Sequence, residues 1–133
     1  MNRLEQQVAA QGADTLPASA QEIEAAAQAL HVTFSADYRE YLSRFGVISF
    51  GATEIYGLGI PQDSHLNILS VTAMLRKGEA WPAQAVPLCD IGDGYYYLYD
   101  NLKRKVLTWS MVAGVVETHN EGLEDFLLKA LFQ

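Results

Sequence analysis

The chain has 133 residues, half of them hydrophobic, which is the usual range for one domain able to bury a core of its own. Sixteen acidic against nine basic residues give a net charge of −7, a balance that repels the phosphate backbone and argues against nucleic-acid binding while steering a basic protein partner toward the chain. A lone cysteine, Cys89, excludes an intrachain disulfide and a cysteine-rich metal site; MNRLEQQVAAQG is too polar for a signal peptide, and no apolar run approaches the roughly 18 residues of a membrane span. A cytoplasmic chain with no membrane attachment is the expectation.

Met1 to about Pro17 reads as a short helix or mobile arm, because Leu4 and Val8 are one helical turn apart while Gly12 and Pro17 break the helical pattern beyond them. The main domain is expected over 18–133. Ser19 with Glu22 forms a capping box, and Ile23, Ala27 and Leu30 line one face of the helix it opens. Ser35 caps the next helix, Asp37 favours its dipole, and Tyr38, Tyr41, Leu42 and Phe45 share a face before Gly46 ends it.

From Val47 the period changes to that of strands, with β-prone runs at 47–50 and 53–58 separated by glycines. Asp63 to Asn67 reads as a loop, and Ser70 as the cap of a short helix carrying Val71, Met74 and Leu75, ended by Gly78. VPLCDIGDGYYYLYD, residues 86–100, is a β-hairpin in which IGDG supplies the turn. Next come strands at 106–109 and 115–118, then a closing helix with Leu123, Phe126, Leu127, Ala130 and Leu131 as its apolar stripe. This order predicts an α+β fold, a mostly antiparallel sheet of about five to six strands with helices packed on one face.

In that order, LxxxFSADYREYLSRFG, EIYGL, VPLCDIGDGYYYLYD, KVLTW and GLEDFLLKAL resemble the SMI1/KNR4 (SUKH) superfamily, from Ala18 to about Phe132. The chain departs from the family pattern in having Ser35-Ala36 where a proline is frequent and Phe45-Gly46-Val47 where Asn-Gly-Gly is. The resemblance implies a binding function: bacterial members look like immunity proteins that neutralise toxins, and fungal members regulate cell-wall synthesis. It thus implies an immunity protein with a basic toxin domain as partner, or alternatively a regulatory scaffold.

No constellation for chemistry stands out. His31, His65 and His119 lack metal-ligand spacing, the Asp90–Gly94 stretch fails the calcium-loop pattern, and Gly57-Leu58-Gly59 is no dinucleotide fingerprint, so no metal or cofactor is expected. Cys89 sits in a strand, where a free cysteine behaves as a small hydrophobe; a hydrolase built on it needs a histidine that meets it only in space. The aromatic run is the candidate interface. Alternation puts Tyr95, Tyr97 and Tyr99 on one face and Tyr96 and Leu98 on the other. With Tyr96 and Leu98 assigned to the core, the three tyrosines form an outward ladder beside Asp90 and Asp93; the other reading packs the ladder under a loop or the N-terminal arm.

Overall fold

The computed structural model describes residues 1–77 and 80–133. In chain order it contains α1 (Asn2–Gln11), β1 (Asp14–Thr15), α2 (Ala20–Leu30), α3 (Ala36–Arg44), β2 (Ile48–Phe50), β3 (Thr53–Ile55), α4 (Ile68–Leu75), β4 (Ala85–Gly92), β5 (Tyr95–Asp100), β6 (Lys105–Ser110), β7 (Gly114–Thr118) and α5 (Leu123–Phe132). The strands form two antiparallel sheets, β1-β2-β3 and β4-β5-β6-β7, giving the α+β architecture the sequence implies. The sheets abut where the Tyr56 N–H donates to the Leu88 carbonyl at 2.8 Å.

The helices begin where their side chains can satisfy free N–H groups. Ser19 and Glu22 form the reciprocal capping box at α2. Ser35 Oγ accepts from the Tyr38 N–H and also lies 2.9 Å from the Tyr99 hydroxyl, so one side chain caps α3 and ties it to β5. At α4 the cap is Asn67 rather than Ser70. Asn67 Oδ1 accepts from the Leu69 N–H, whereas Ser70 lies inside the helix and donates to the Ser64 and Asn67 carbonyls. Gly78, the expected stop, lies outside the described residues.

The strongest backbone constraint is where the chain segments cross. A Cβ on Gly57 would stand 1.5 Å from the Gly46 carbonyl oxygen, and one on Gly46, at φ 71°, would stand 1.8 Å from the Leu16 carbonyl oxygen. Only glycine lets the end of α3, the exit from β3 and the link before α2 approach this closely. α1 lies against α5: Leu4 is fully buried, its N–H donates to Glu124 Oε2 at 3.1 Å, and Arg3 bridges Glu124 and Asp125. Burial pushes the Glu124 carboxyl up, but the Leu4 N–H, the terminal ammonium and Arg3 outweigh it and hold the group below the ordinary carboxylate range.

The tyrosine ladder requires a correction. Tyr99 is only 1% exposed, stacked on Tyr38 with ring centres 5.8 Å apart. Tyr97 is half-buried, edge-on to Phe126 of α5 at 4.7 Å. Tyr95 alone of the three is exposed, at 40%. The reason is that α3 and α5 pack on this face. The opposite face is covered as well: Tyr96, Leu98, Leu107 and Trp109 are buried there, and Trp81 meets Trp109 edge-on at 5.1 Å.

Candidate functional site

The β4–β5 hairpin turns on Asp93 and Gly94, at φ 56° and 80°, the two positive values that a type I′ turn needs and that suit the twist of the flanking strands. Just before it the register slips between Asp90 and Gly92, and Asp90 Oδ1 accepts from the Gly92 N–H at 2.8 Å. That bond fixes the Asp90 carboxylate on the strand edge. The β6–β7 turn lies alongside, joined by the Met111 N–H to the Gly94 carbonyl at 3.3 Å. Together the two turns expose Ile91, Tyr95, Met111 and Val112, the last at 98%, with Val115 and Val116 of β7 beyond them. Asp93 is exposed at the tip. An apolar end with a carboxylate rim has the composition of a protein-binding surface.

On the flank of this hairpin the structure opens a cleft that the sequence did not announce. Two adjoining hollows of about 260 and 380 Å³ share Tyr56, His65 and Asp90. Glu54 and Ala52 complete the smaller one; Asp63, Ser70, Val71, Met74 and Tyr96 complete the larger. Four segments build it: β3 and its exit supply Glu54 and Tyr56, the loop before α4 supplies Asp63 and His65, α4 supplies Ser70, Val71 and Met74, and the hairpin supplies Asp90 and Tyr96. His65 Nε2 lies 3.6 Å from Glu54 Oε2. No Lys or Arg lines either hollow among the described residues.

The electrostatics come from this crowding. Burial first, then the charge of Asp90, then Tyr96, Cys89 and Glu54 raise the Tyr56 hydroxyl well above its ordinary pKa. Burial and Asp90 raise Tyr96 in the same direction. Of the residues singled out in the sequence, the structure brings Asp90 into the cleft, leaves Asp93 and Tyr95 at the exposed hairpin end, and takes Tyr97 and Tyr99 into the packing against α5 and α3. Glu54 and Tyr56 were missed, although their i, i+2 spacing in an extended segment sets them on one face.

Other hollows carry less chemistry. In the one near Asn101, the polar groups already serve the fold: Asn101 Oδ1 accepts from the Ser35 N–H and Gln84 Oε1 from the Thr33 N–H. In the one beside α2, Glu24 and Arg39 neutralise each other. Cys89 is buried, and burial, followed by Asp90 and Glu54, pushes its thiol up to about 11. The thiol stays protonated at neutral pH, the opposite of an activated nucleophile. Among the described residues no three His, Cys, Asp or Glu side chains converge as a metal site. No helix among them is long and apolar enough to cross a membrane.

Comparison with known proteins places the chain. A search of curated proteins returns no match. A protein from Pseudomonas syringae pv. tomato, known from its crystal structure, superposes with a TM-score of 0.80 at 18% identity over 98% of each chain, which carries the likeness of fold alone. The SUKH_5 family model, described as SMI1-KNR4 cell-wall, matches residues 1–132, and includes α1 and β1 as well as everything after them. The chain therefore belongs to the SMI1-KNR4 (SUKH) family.

Proposed function

We propose that this chain is a cytoplasmic, non-enzymatic immunity protein that neutralises a cognate bacterial toxin by covering the basic surface around its active site. The observation that carries the reading is the hairpin end: exposed apolar side chains rimmed by Asp90 and Asp93 and continuous with a cleft that holds carboxylates and, among the described residues, no Lys or Arg. In such an interface the net charge of −7 raises the rate of encounter with a basic protein, and the buried apolar and aromatic groups set how long the complex lasts. Neither nucleic acid nor a membrane suits the same surface. The protonated Cys89 weighs against a hydrolase. A regulatory scaffold is the second reading, favoured by the cell-wall description of the family.

The test is whether a toxin domain is encoded immediately upstream of this chain's gene, followed by calorimetry and inhibition with that domain. A stoichiometric complex that abolishes toxin activity is expected. The D90N/D93N double variant should associate more slowly with a flatter salt dependence, and Tyr95→Ala should dissociate faster. Absence of a complex at micromolar concentrations, or a complex that leaves the toxin active, would remove the immunity reading.

A further inference from the structure

We infer that the cleft between β3, α4 and the β4–β5 hairpin is a slot for one arginine side chain of the bound protein. The inference rests on the proposed partner-binding function and names the chemistry of its recognition.

Two independent observations meet in the cleft. The first is uncompensated charge: Glu54, Asp63 and Asp90 line it with no Lys or Arg among the described residues, and only His65 beside Glu54 offers a counter-group. The second is a pair of tyrosines that are more than nine-tenths covered yet line the hollow, Tyr56 at 7% and Tyr96 at 9% exposure. Neither hydroxyl makes a hydrogen bond to the protein among the described residues, in contrast to Tyr41 and Tyr99, whose hydroxyls are bonded to the Tyr56 carbonyl and to Ser35. Both tyrosines line the larger hollow, and neither hydroxyl is among the solvent-inaccessible polar atoms without a partner, so among the described residues both present an accessible phenol oxygen that can accept or donate a hydrogen bond.

The occupant these groups fit is a cation with a planar, many-donor head and an apolar stem. A guanidinium offers five N–H donors in a rigid fork to carboxylates and phenol oxygens, is more weakly hydrated than an ammonium and stacks on aromatic rings. Val71 and Met74 supply the apolar wall along which its methylene stem would lie. A bare metal ion is the poorer fit, because the carboxylates surround a hollow of about 380 Å³ without converging on a point. One Asp90 oxygen already holds the Gly92 N–H, leaving the other for the ligand.

The probe is N-acetyl-arginine amide, titrated into the full chain and followed by amide and tyrosine-ring NMR shifts, with the citrulline and lysine analogues as controls. Saturable shifts should map to Tyr56, Tyr96 and Asp90, with citrulline at least about tenfold weaker and lysine weaker than arginine, since a neutral isostere lacks the charge and an ammonium lacks the fork. Tyr56→Phe keeps the ring and removes only the hydroxyl; it and Asp90→Asn should each weaken the arginine probe several-fold while leaving the amide spectrum folded elsewhere. No saturable shift, shifts mapping to another surface, equal binding of citrulline, or preference for lysine would each overturn the inference. Failure of the toxin complex is read separately, by calorimetry. Arginine shifts in the cleft without that complex would keep the slot and discard the toxin, and the complex without arginine shifts would do the reverse.

Discussion

Tyr97 carries the sharpest consequence of how the hairpin packs. Its ring meets Phe126 edge-on at 4.7 Å and His119 at 5.8 Å, while His119 Nε2 is 2.8 Å from Thr108 Oγ1. Tyr97→Ala is therefore expected to lower the stability of the isolated protein by about 2 kcal/mol, less than an aromatic deletion inside a fully packed core because the ring is half-buried. Urea unfolding measures this, and a loss under about 0.5 kcal/mol, typical of a surface change, would return Tyr97 to the surface. Tyr99→Phe is the milder companion. It keeps the stacking on Tyr38 and loses the contact with Ser35, so a cost of about 1 kcal/mol is expected in the same measurement. Gly57→Ala is expected to be worse than either. The added carbon would meet the Gly46 backbone at 1.5 Å, and no flexible side chain can yield there; poor folding, seen as loss of near-ultraviolet dichroism, is the expected result.

Among elements, α1 offers a clean separation of local from global stability. It docks through Leu4 and through the Glu124 carboxylate, which accepts the Leu4 N–H and meets Arg3. Glu124→Ala should speed amide hydrogen exchange in α1 by about tenfold while leaving β4 and β5 protected; equal acceleration in both would tie α1 into the global unfolding unit. Elements with their own chemistry were legible in the sequence. Ser19-Glu22 and Ser35 announce α2 and α3, and IGDG announces the β4–β5 turn, because caps and turns are local devices. β1 was not legible: two residues carry no period, and it exists as a strand only because Asp14 and Thr15 pair with Ser49 and Ile48. The cap of α4 was misplaced because Asn67 and Ser70 are equally good caps in isolation, and the neighbouring loop decides between them. The facing of β5 was misread for a related reason. A run of Tyr95 to Tyr99 without a polar residue in either alternating set fits a strand covered on both sides, and alternation alone does not say which helices do the covering.

At the scale of the whole molecule the same distinction applies to the site: Asp90 and Asp93 were legible because a turn displays them, whereas the cleft joins Glu54, Asp63 and Asp90 from segments that only folding brings together. Folding also sets how the molecule answers to pH. Cys89 is pushed up to about 11, and Tyr38, Tyr41, Tyr56, Tyr96 and Tyr99 are all raised above the ordinary tyrosine value, in each case first by burial. A thiol or phenol with a raised pKa keeps its proton longer in the native state than in the unfolded chain. Above the ordinary pKa the unfolded state therefore binds fewer protons, and stability falls as pH rises. The contribution is whole below about pH 8, where neither state has ionised, and it is lost progressively from the ordinary thiol range upward through the raised values. Thermal melts at constant ionic strength should accordingly be level from pH 7 to about 8 and then drop, by at least about 4 °C by pH 11, the shift that a loss near 1 kcal/mol produces in a domain of this size. The share of tyrosine ionisation that belongs to Tyr38, Tyr41 and Tyr99, followed by ultraviolet absorbance, should rise in the same pH interval and with the same cooperativity as unfolding, because these buried hydroxyls ionise when the core opens. Smooth ionisation of all seven tyrosines near pH 10 in a still-folded protein would show that the rings of α3 and β5 are not packed against each other.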